Sequence, residues 1–293
     1  MTVASHETSA LKRFRHSVVR SGLQLHIVGL GETWRDLCHA KVTLLGRALH
    51  AHRHDVDKIV LFADAYDVLF NGDAATLLAK FRRFRTRILF SAETACEPIR
   101  FQPQYPPASG YRYLNSGLFM GYAPDLYRLV SHSTCPPNVT NDQVHYAQMY
   151  LDQRLRFGIQ LDHKAQLFQS MHLASGHVQL GFQGRRPLLR NALHDTNPLA
   201  VHFNSYLMKH CVAALANYFP DAWNPVDGCV RCTDDTVDLE RVQVLYQTDC
   251  RTGPPPSLIP ANPCDDRLTT IPRWFWAFSL TDRRRFWTSF SAN

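Results

Sequence analysis

Apolar residues fall in short unbroken runs separated by segments of helical spacing, and this alternation predicts an α/β domain over the first two thirds of the chain. Residues 23–30 read as a strand, and residues 42–49, apolar at helical intervals, as the helix that follows. Residues 59–63, Ile-Val-Leu-Phe-Ala, show no alternation and read as a strand covered on both faces. Asn71-Gly72-Asp73 turns the chain, with Asp73 placed to cap a helix over 74–84. A third strand is expected over 87–92, a proline-rich loop over 98–107, a short strand over 118–121 and a helix over 142–155.

The strand at 59–63 runs directly into Asp64-Ala65-Tyr66-Asp67-Val68-Leu69-Phe70, so two acids interrupt an otherwise apolar stretch. An unpaired buried carboxylate costs several kcal/mol, roughly, and these acids need a reason to be there. Strand ends at the carboxyl edge of α/β sheets are where ligands bind, and two carboxylates across a two-residue turn can converge on one divalent cation. Capping of the turn by one acid and pairing of the other with Arg is the competing explanation, and the stretch alone leaves the two evenly matched. A phosphatase nucleophile would want Asp-x-Asp near the first strand, whereas the spacing here is Asp-x-x-Asp on a later one. None of the fifteen His is followed two residues later by Asp, which argues against a facial-triad iron site.

Composition changes this picture only at the edges. The 293 residues, 45% hydrophobic, suffice for one sizeable core. No apolar run reaches the roughly 20 residues needed to span a bilayer, and no secretory leader is visible at the start. The net charge of +7 gathers in Arg clusters such as Arg82-Arg83-Phe84-Arg85-Thr86-Arg87 and Arg283-Arg284-Arg285. No nucleic-acid reading motif accompanies them, so a solvated face or a phosphate-bearing small molecule is expected rather than nucleic acid. Four of the eight Cys crowd the last quarter, where Cys229-Val230-Arg231-Cys232 fits either zinc or disulfides. A Pro- and Cys-rich segment begins near Trp223, dividing the chain into a main domain, 1–222, and an irregular extension, 223–293.

Eight blocks in order resemble the glycosyltransferase domain of the procollagen lysyl hydroxylases and its free-standing relatives. They include Val28-Gly29-Leu30-Gly31-Glu32-Thr33-Trp34, Ala63-Asp64-Ala65-Tyr66-Asp67-Val68, Arg112-Tyr113-Leu114-Asn115-Ser116-Gly117, Asn141-Asp142-Gln143, Val201-His202-Phe203-Asn204 and Asn217-Tyr218-Phe219-Pro220. The resemblance implies a GT-A-like fold with a mixed, mostly parallel sheet, a UDP-sugar donor (UDP-glucose or UDP-galactose) and Mn²⁺ held by Asp64, Asp67 and His202. Two carboxylates and an imidazole suit Mn²⁺ better than Mg²⁺. It further implies that Val3 and Ser5 meet the uridine, that Tyr66 stacks on the base, and that Trp34, Lys41, Asn204 and Lys209 lie near the donor. Asn115 and Asn141-Asp142 are the expected sugar-side groups, with capping of a helix by Asp142 and a plain surface position for Lys41 as competing readings. Asp162 is a weaker acceptor-side candidate, and His163 reads as structural. The implied acceptor is hydroxylysine or galactosyl-hydroxylysine of a collagen-like chain, and the implied location the secretory pathway. Four departures stand out: Leu37-Cys38-His39-Ala40 replaces a glycine-rich turn, the acidic run shrinks to Asn141-Asp142, Glu97 stands where family members often carry a Trp, and Phe203 and Ser205 replace two glycines. They leave open a catalytically weak domain that binds metal and UDP-sugar as an accessory module.

Overall fold

The computed structural model describes residues 1–205 except 35, 133, 184 and 185, together with Met208 and Val212. The expected boundary near Trp223, the segment 223–293, the Asn217 block and Lys209 lie outside the described residues. Eleven strands and five α-helices are described: β1 Thr2–Val3, α1 Ser9–Arg20, β2 Ile27–Val28, α2 Leu37–His50, β3 Ile59–Ala63, β4 Val68–Phe70, α3 Ala74–Arg83 and β5 Ile88–Glu93. They continue with β6 Tyr113–Tyr122, α4 Ala123–His132, α5 Asp142–Phe157, β7 Ile159–Asp162, β8 Phe168–Ser170, β9 Val178–Gln183, β10 Arg186–Asn191 and β11 Ala200–His202.

The central sheet has the order β3-β6-β5-β7. It is mixed, but β6 runs antiparallel to both β3 and β5, and only β5 and β7 pair in parallel. Parallel pairing therefore does not predominate in it, since apolar runs reveal a strand without revealing its direction. The aromatic residues Phe62, Phe90 and Phe119 stack across three strands, with ring centroids 4.6–4.7 Å apart. They face a core supplied by Leu45 and Leu49 of α2, Leu126 and Leu129 of α4 and Tyr146 and Tyr150 of α5. Leu89, Leu118 and Met120 point the other way, into a core with Leu11, Phe14 and Val18 of α1 and Leu77 and Phe81 of α3. The sheet is thus buried on both faces, the reason its strands read as continuous apolar runs.

Two elements differ from expectation. The strand predicted over 23–30 is reduced to β2, which ends where Gly29 takes a left-handed φ of +84° and a side chain would press against Leu44. The strand predicted over 118–121 is the end of the ten-residue β6, which begins at Tyr113 and so carries the polar Asn115-Ser116 inside the sheet. Polar residues hid its first half from a hydrophobicity pattern. Asp73 caps α3 as expected, its carboxylate accepting from the Thr76 N–H at 2.7 Å. No helix among the described residues is long and apolar enough to cross a membrane.

Candidate functional site

Strand pairing brings the distant candidates together. β11 lies antiparallel to β4 with His202 opposite Val68, and the Phe203 N–H donates to the Asp67 carbonyl at 2.8 Å. That register sets His202 beside Asp67, 135 positions earlier in the chain. Asp64 leaves the end of β3 and is held by its own N–H, which donates to the Gly117 carbonyl of β6 at 2.9 Å. A shift in register between Phe90 and Ser91 bulges β6 at this point, as often happens beside functional sites. Gly117 is required there, because a Cβ would overlap the His202 ring.

One carboxylate oxygen each from Asp64 and Asp67 and one nitrogen of His202 lie within 4.8 Å of one another, a grouping able to hold a metal ion. His202 Nε2 is 3.4 Å from Asp67 Oδ1 and 3.7 Å from Asp64 Oδ2. The other ring nitrogen, Nδ1, donates to Asn115 Oδ1 at 2.8 Å, which turns Nε2 toward the carboxylates. The donor set thus fits a cation. Burial opposes the His202 imidazolium, but the charges of Asp67 and Asp64 outweigh it and raise its pKa. Burial likewise raises the Asp64 carboxyl, against the pull of Lys41 and His202.

Lys41, on α2, is not a surface lysine. Its Nζ sits 2.7 Å from Asp64 Oδ1 and 3.3 Å from Asp142 Oδ2. Burial favours its neutral form, yet Asp142 and Asp64 hold it charged and raise its pKa. Asp142 is the first residue of α5 and is buried, but it is not the cap: Asn141 is, its Oδ1 accepting from the Gln143 N–H at 2.9 Å. Of this pair, therefore, Asn141 holds the helix end and Asp142 faces the lysine.

The nucleotide-side candidates divide. Tyr66 accepts from the Ser5 N–H and donates to the His6 carbonyl, both at 3.2 Å, so the end of β1 and the residue between the two acids meet directly. Val3 pairs with Val28 in the β1–β2 ladder. Trp34 packs near Gly29, and its Nε1 is buried with no hydrogen-bond partner. Asn204 is bound within the fold: Oδ1 accepts from Met171 and His172 N–H groups at 2.9 and 3.0 Å, and Nδ2 donates to Glu93. Asp162 is likewise structural, its buried carboxylate accepting three backbone N–H groups from Gln166, Leu167 and Phe168. The acceptor-side role expected of it is overturned by that turn. His163, as expected, serves the fold, with Nδ1 2.7 Å from the Tyr111 carbonyl.

Glu93, at the end of β5, is the group that sequence reasoning missed. It accepts from Asn115 Nδ2 at 3.0 Å, Gln143 Nε2 at 2.8 Å and Asn204 Nδ2 at 2.7 Å. Burial pushes its carboxyl up to about 7, with the three amide hydrogen bonds pulling the other way. The signal that exposed Asp64, an acid closing a buried strand, was present in Ile88-Leu89-Phe90-Ser91-Ala92-Glu93 as well.

An α/β sandwich with carboxylates, an imidazole and a buried lysine gathered at its strand ends is what this chain presents to a ligand. Residues 1–229 match the family model described as PLOD GT domain, and the chain belongs to that family as a glycosyltransferase domain. It is 34% identical to the human multifunctional procollagen lysine hydroxylase and glycosyltransferase LH3, over 96% of this chain and 38% of that protein. It is 36% identical to procollagen-lysine,2-oxoglutarate 5-dioxygenase 1 of Gallus gallus, over 83% of this chain and 34% of that protein. The chain thus spans about a third of the length of these curated relatives. Among solved structures, it resembles a glycosyltransferase involved in glycosylation of the major capsid of PBCV-1, with a TM-score of 0.41 at 13% identity over 72% of this chain and 98% of that one. It also resembles the galactosyltransferase LgtC, with a TM-score of 0.38 at 12% identity over 71% of this chain and 88% of that one.

Proposed function

We propose that this domain transfers glucose or galactose from UDP-glucose or UDP-galactose to a hydroxyl of a collagen-like chain, hydroxylysine or galactosyl-hydroxylysine, with Mn²⁺ as the cation. The observation that carries the reading is the convergence of Asp64, Asp67 and His202 within 4.8 Å at the strand ends. A bound Mn²⁺ would neutralise the diphosphate as the sugar–phosphate bond breaks. Asp64, Asp67 and Nε2 of His202 would hold it, with Asn115 fixing the ring. Lys41 supplies a second positive charge on the same side, and its contact with Asp142 sets that carboxylate toward the sugar, where it orients the donor and offsets charge developing at the anomeric carbon. Tyr66 and the end of β1 form the base platform, and the unpartnered N–H of Trp34 offers a donor to the nucleotide. No side chain is placed as a covalent nucleophile in this scheme. The departing diphosphate takes the acceptor proton, and transfer to galactosyl-hydroxylysine retains the anomeric configuration.

Release of UDP from each donor, with and without Mn²⁺ and a hydroxylysine-bearing collagen peptide, tests this. Acceptor-dependent, metal-dependent release with one donor is expected. Tight UDP–Mn²⁺ binding without transfer to any collagen peptide would instead establish an accessory binding module. Turnover with neither donor, together with undiminished UDP binding in Asp67→Ala, would sink the metal-site reading.

A further inference from the structure

Cys38 and Cys135 form a disulfide that closes 97 positions of chain, with Cα atoms 6.0 Å apart and both residues buried. Its place in the fold is specific. Cys38 stands in the first turn of α2, whose cap is Asp36, and its N–H donates to the Thr140 carbonyl at 3.0 Å. Cys135 and Thr140 bracket the segment Cys135-Pro136-Pro137-Asn138-Val139-Thr140, which delivers Asn141 and Asp142 to the start of α5. The segment is therefore fastened to α2 at both ends, by a covalent bond and by a backbone hydrogen bond. Within it, Val139 N–H folds back onto the Pro136 carbonyl at 2.9 Å.

Lys41 follows Cys38 by three residues and so shares its face of α2. Asp142 follows Thr140 by two. The contact between them, Nζ to Oδ2 at 3.3 Å, spans the same gap that the disulfide bridges, and the same lysine reaches Asp64 at 2.7 Å. His145, one turn along α5 from Asp142, places a ring nitrogen within 4.8 Å of both sulfurs, so the bond is packed against the helix that carries the carboxylate.

We propose that the Cys38–Cys135 disulfide is a positioning element of the transfer reaction, fixing Lys41 and Asp142 at the separation the donor requires. The proposal rests on the reading of these two residues as donor-facing groups. A disulfide that only stabilised the fold would sit anywhere between two elements. This one joins the start of α2, which supplies the site's lysine, to the segment that leads into α5 and its sugar-side carboxylate.

The test compares the wild-type protein with Cys38→Ala/Cys135→Ala, after peptide mapping of the wild type for the linked pair. Per folded molecule and well below the melting temperature, the unlocked variant should lose about tenfold in kcat, with the donor KM changed less than about threefold. Asp142→Asn should then cost at least about threefold less turnover in the unlocked protein than in the locked one, since its carboxylate is already misplaced. A purely structural bond would lower the melting temperature and move neither quantity, and that result overturns the proposal. So does mapping that finds Cys38 and Cys135 as free thiols, or joined to a metal ion with His145, in the active protein. If the alanine pair does not fold, Cys38→Ala with Cys135→Val refills part of the lost volume and carries the same comparison; failure of both to fold also overturns a role in placement. Should the wild type transfer no sugar at all, it is the proposed function that fails, and the lock is read by calorimetry with UDP and Mn²⁺. Unlocking should weaken that affinity about twofold by releasing Lys41, and unchanged affinity refutes the lock.

Discussion

Two acids close the buried strands on either side of β6, Asp64 after β3 and Glu93 at the end of β5, and burial raises both carboxyls. Their surroundings differ in kind. Asp64 is ringed by charge, with Lys41 at 2.7 Å, His202 at 3.7 Å and Asp67 beside it. Glu93 is ringed by neutral amides, three of which donate to it. A carboxylate among charges is balanced by whatever cation is present and so can exchange one for another. A carboxylate saturated by amides fixes geometry. Asn115 links the two, since its Nδ2 donates to Glu93 while its Oδ1 accepts from His202. In the proposed function one acid holds the cation, and the other holds the residue that aims the imidazole.

The largest effect expected from breaking this contrast is at the charged acid pair. Asp67→Asn keeps the shape but removes one of two anionic donors, and turnover should fall by about a thousandfold, with the Mn²⁺ concentration for half-activation rising at the same time. A loss under tenfold with unchanged metal dependence would mean that the three groups do not act through a cation. At the amide-ringed acid, Glu93→Gln replaces an acceptor oxygen with an NH₂ that meets at least one donor head-on. That should cost about 1–3 kcal/mol of stability in chemical denaturation. Turnover should fall less than for Asp67→Asn, about tenfold, as Asn115 loosens its hold on His202.

The same contrast has a pH signature. Glu93 binds its proton up to about 7 in the folded protein, against an ordinary value of 4.5. Between those values the folded state carries the proton and the unfolded state has lost it, so stability is fully present below about 4.5 and declines as pH rises to about 7. Melting temperatures of the metal-free protein should therefore fall across that window, and the Glu93→Gln variant should show a shallower decline. An equal slope in both proteins would assign the titration elsewhere; the raised Asp64 and His202 contribute in the same direction.

These groups were unequally legible in the sequence. β3, α3 and the helix beginning at Asp142 could be read because periodicity and caps are local properties. α1 was not brought out, although Leu11, Phe14 and Val18 recur at helical spacing, because basic residues dominate the segment between them. Asp64 was conspicuous as an acid in an apolar run, and His202 only through its resemblance, since no local rule links it to a residue 135 positions earlier. The antiparallel register of β11 on β4 makes that link. The competing reading of Asp142 as a cap failed for a steric reason of one residue: Asn141 occupies the extended position from which a side chain reaches back to the helix N–H groups. The disulfide was invisible, because eight cysteines offer many pairings and only the fold selects Cys38 with Cys135.

The smallest effect, and the sharpest separation of holding a ligand from holding the fold, is expected at Trp34. Its Nε1 is buried without a partner, which costs the free protein about 1–3 kcal/mol relative to a satisfied donor. Trp34→Phe deletes that donor while keeping an aromatic ring against Gly29 and the core of α2. If the N–H is reserved for the nucleotide, the melting temperature should hold or rise slightly, and the donor KM should increase about fivefold with kcat little changed. The pattern is the reverse of the one at Glu93, where stability and geometry fall together. A lower melting temperature with an unchanged KM would place Trp34 with Asn204 and Asp162, among the residues that build the site without facing its ligand.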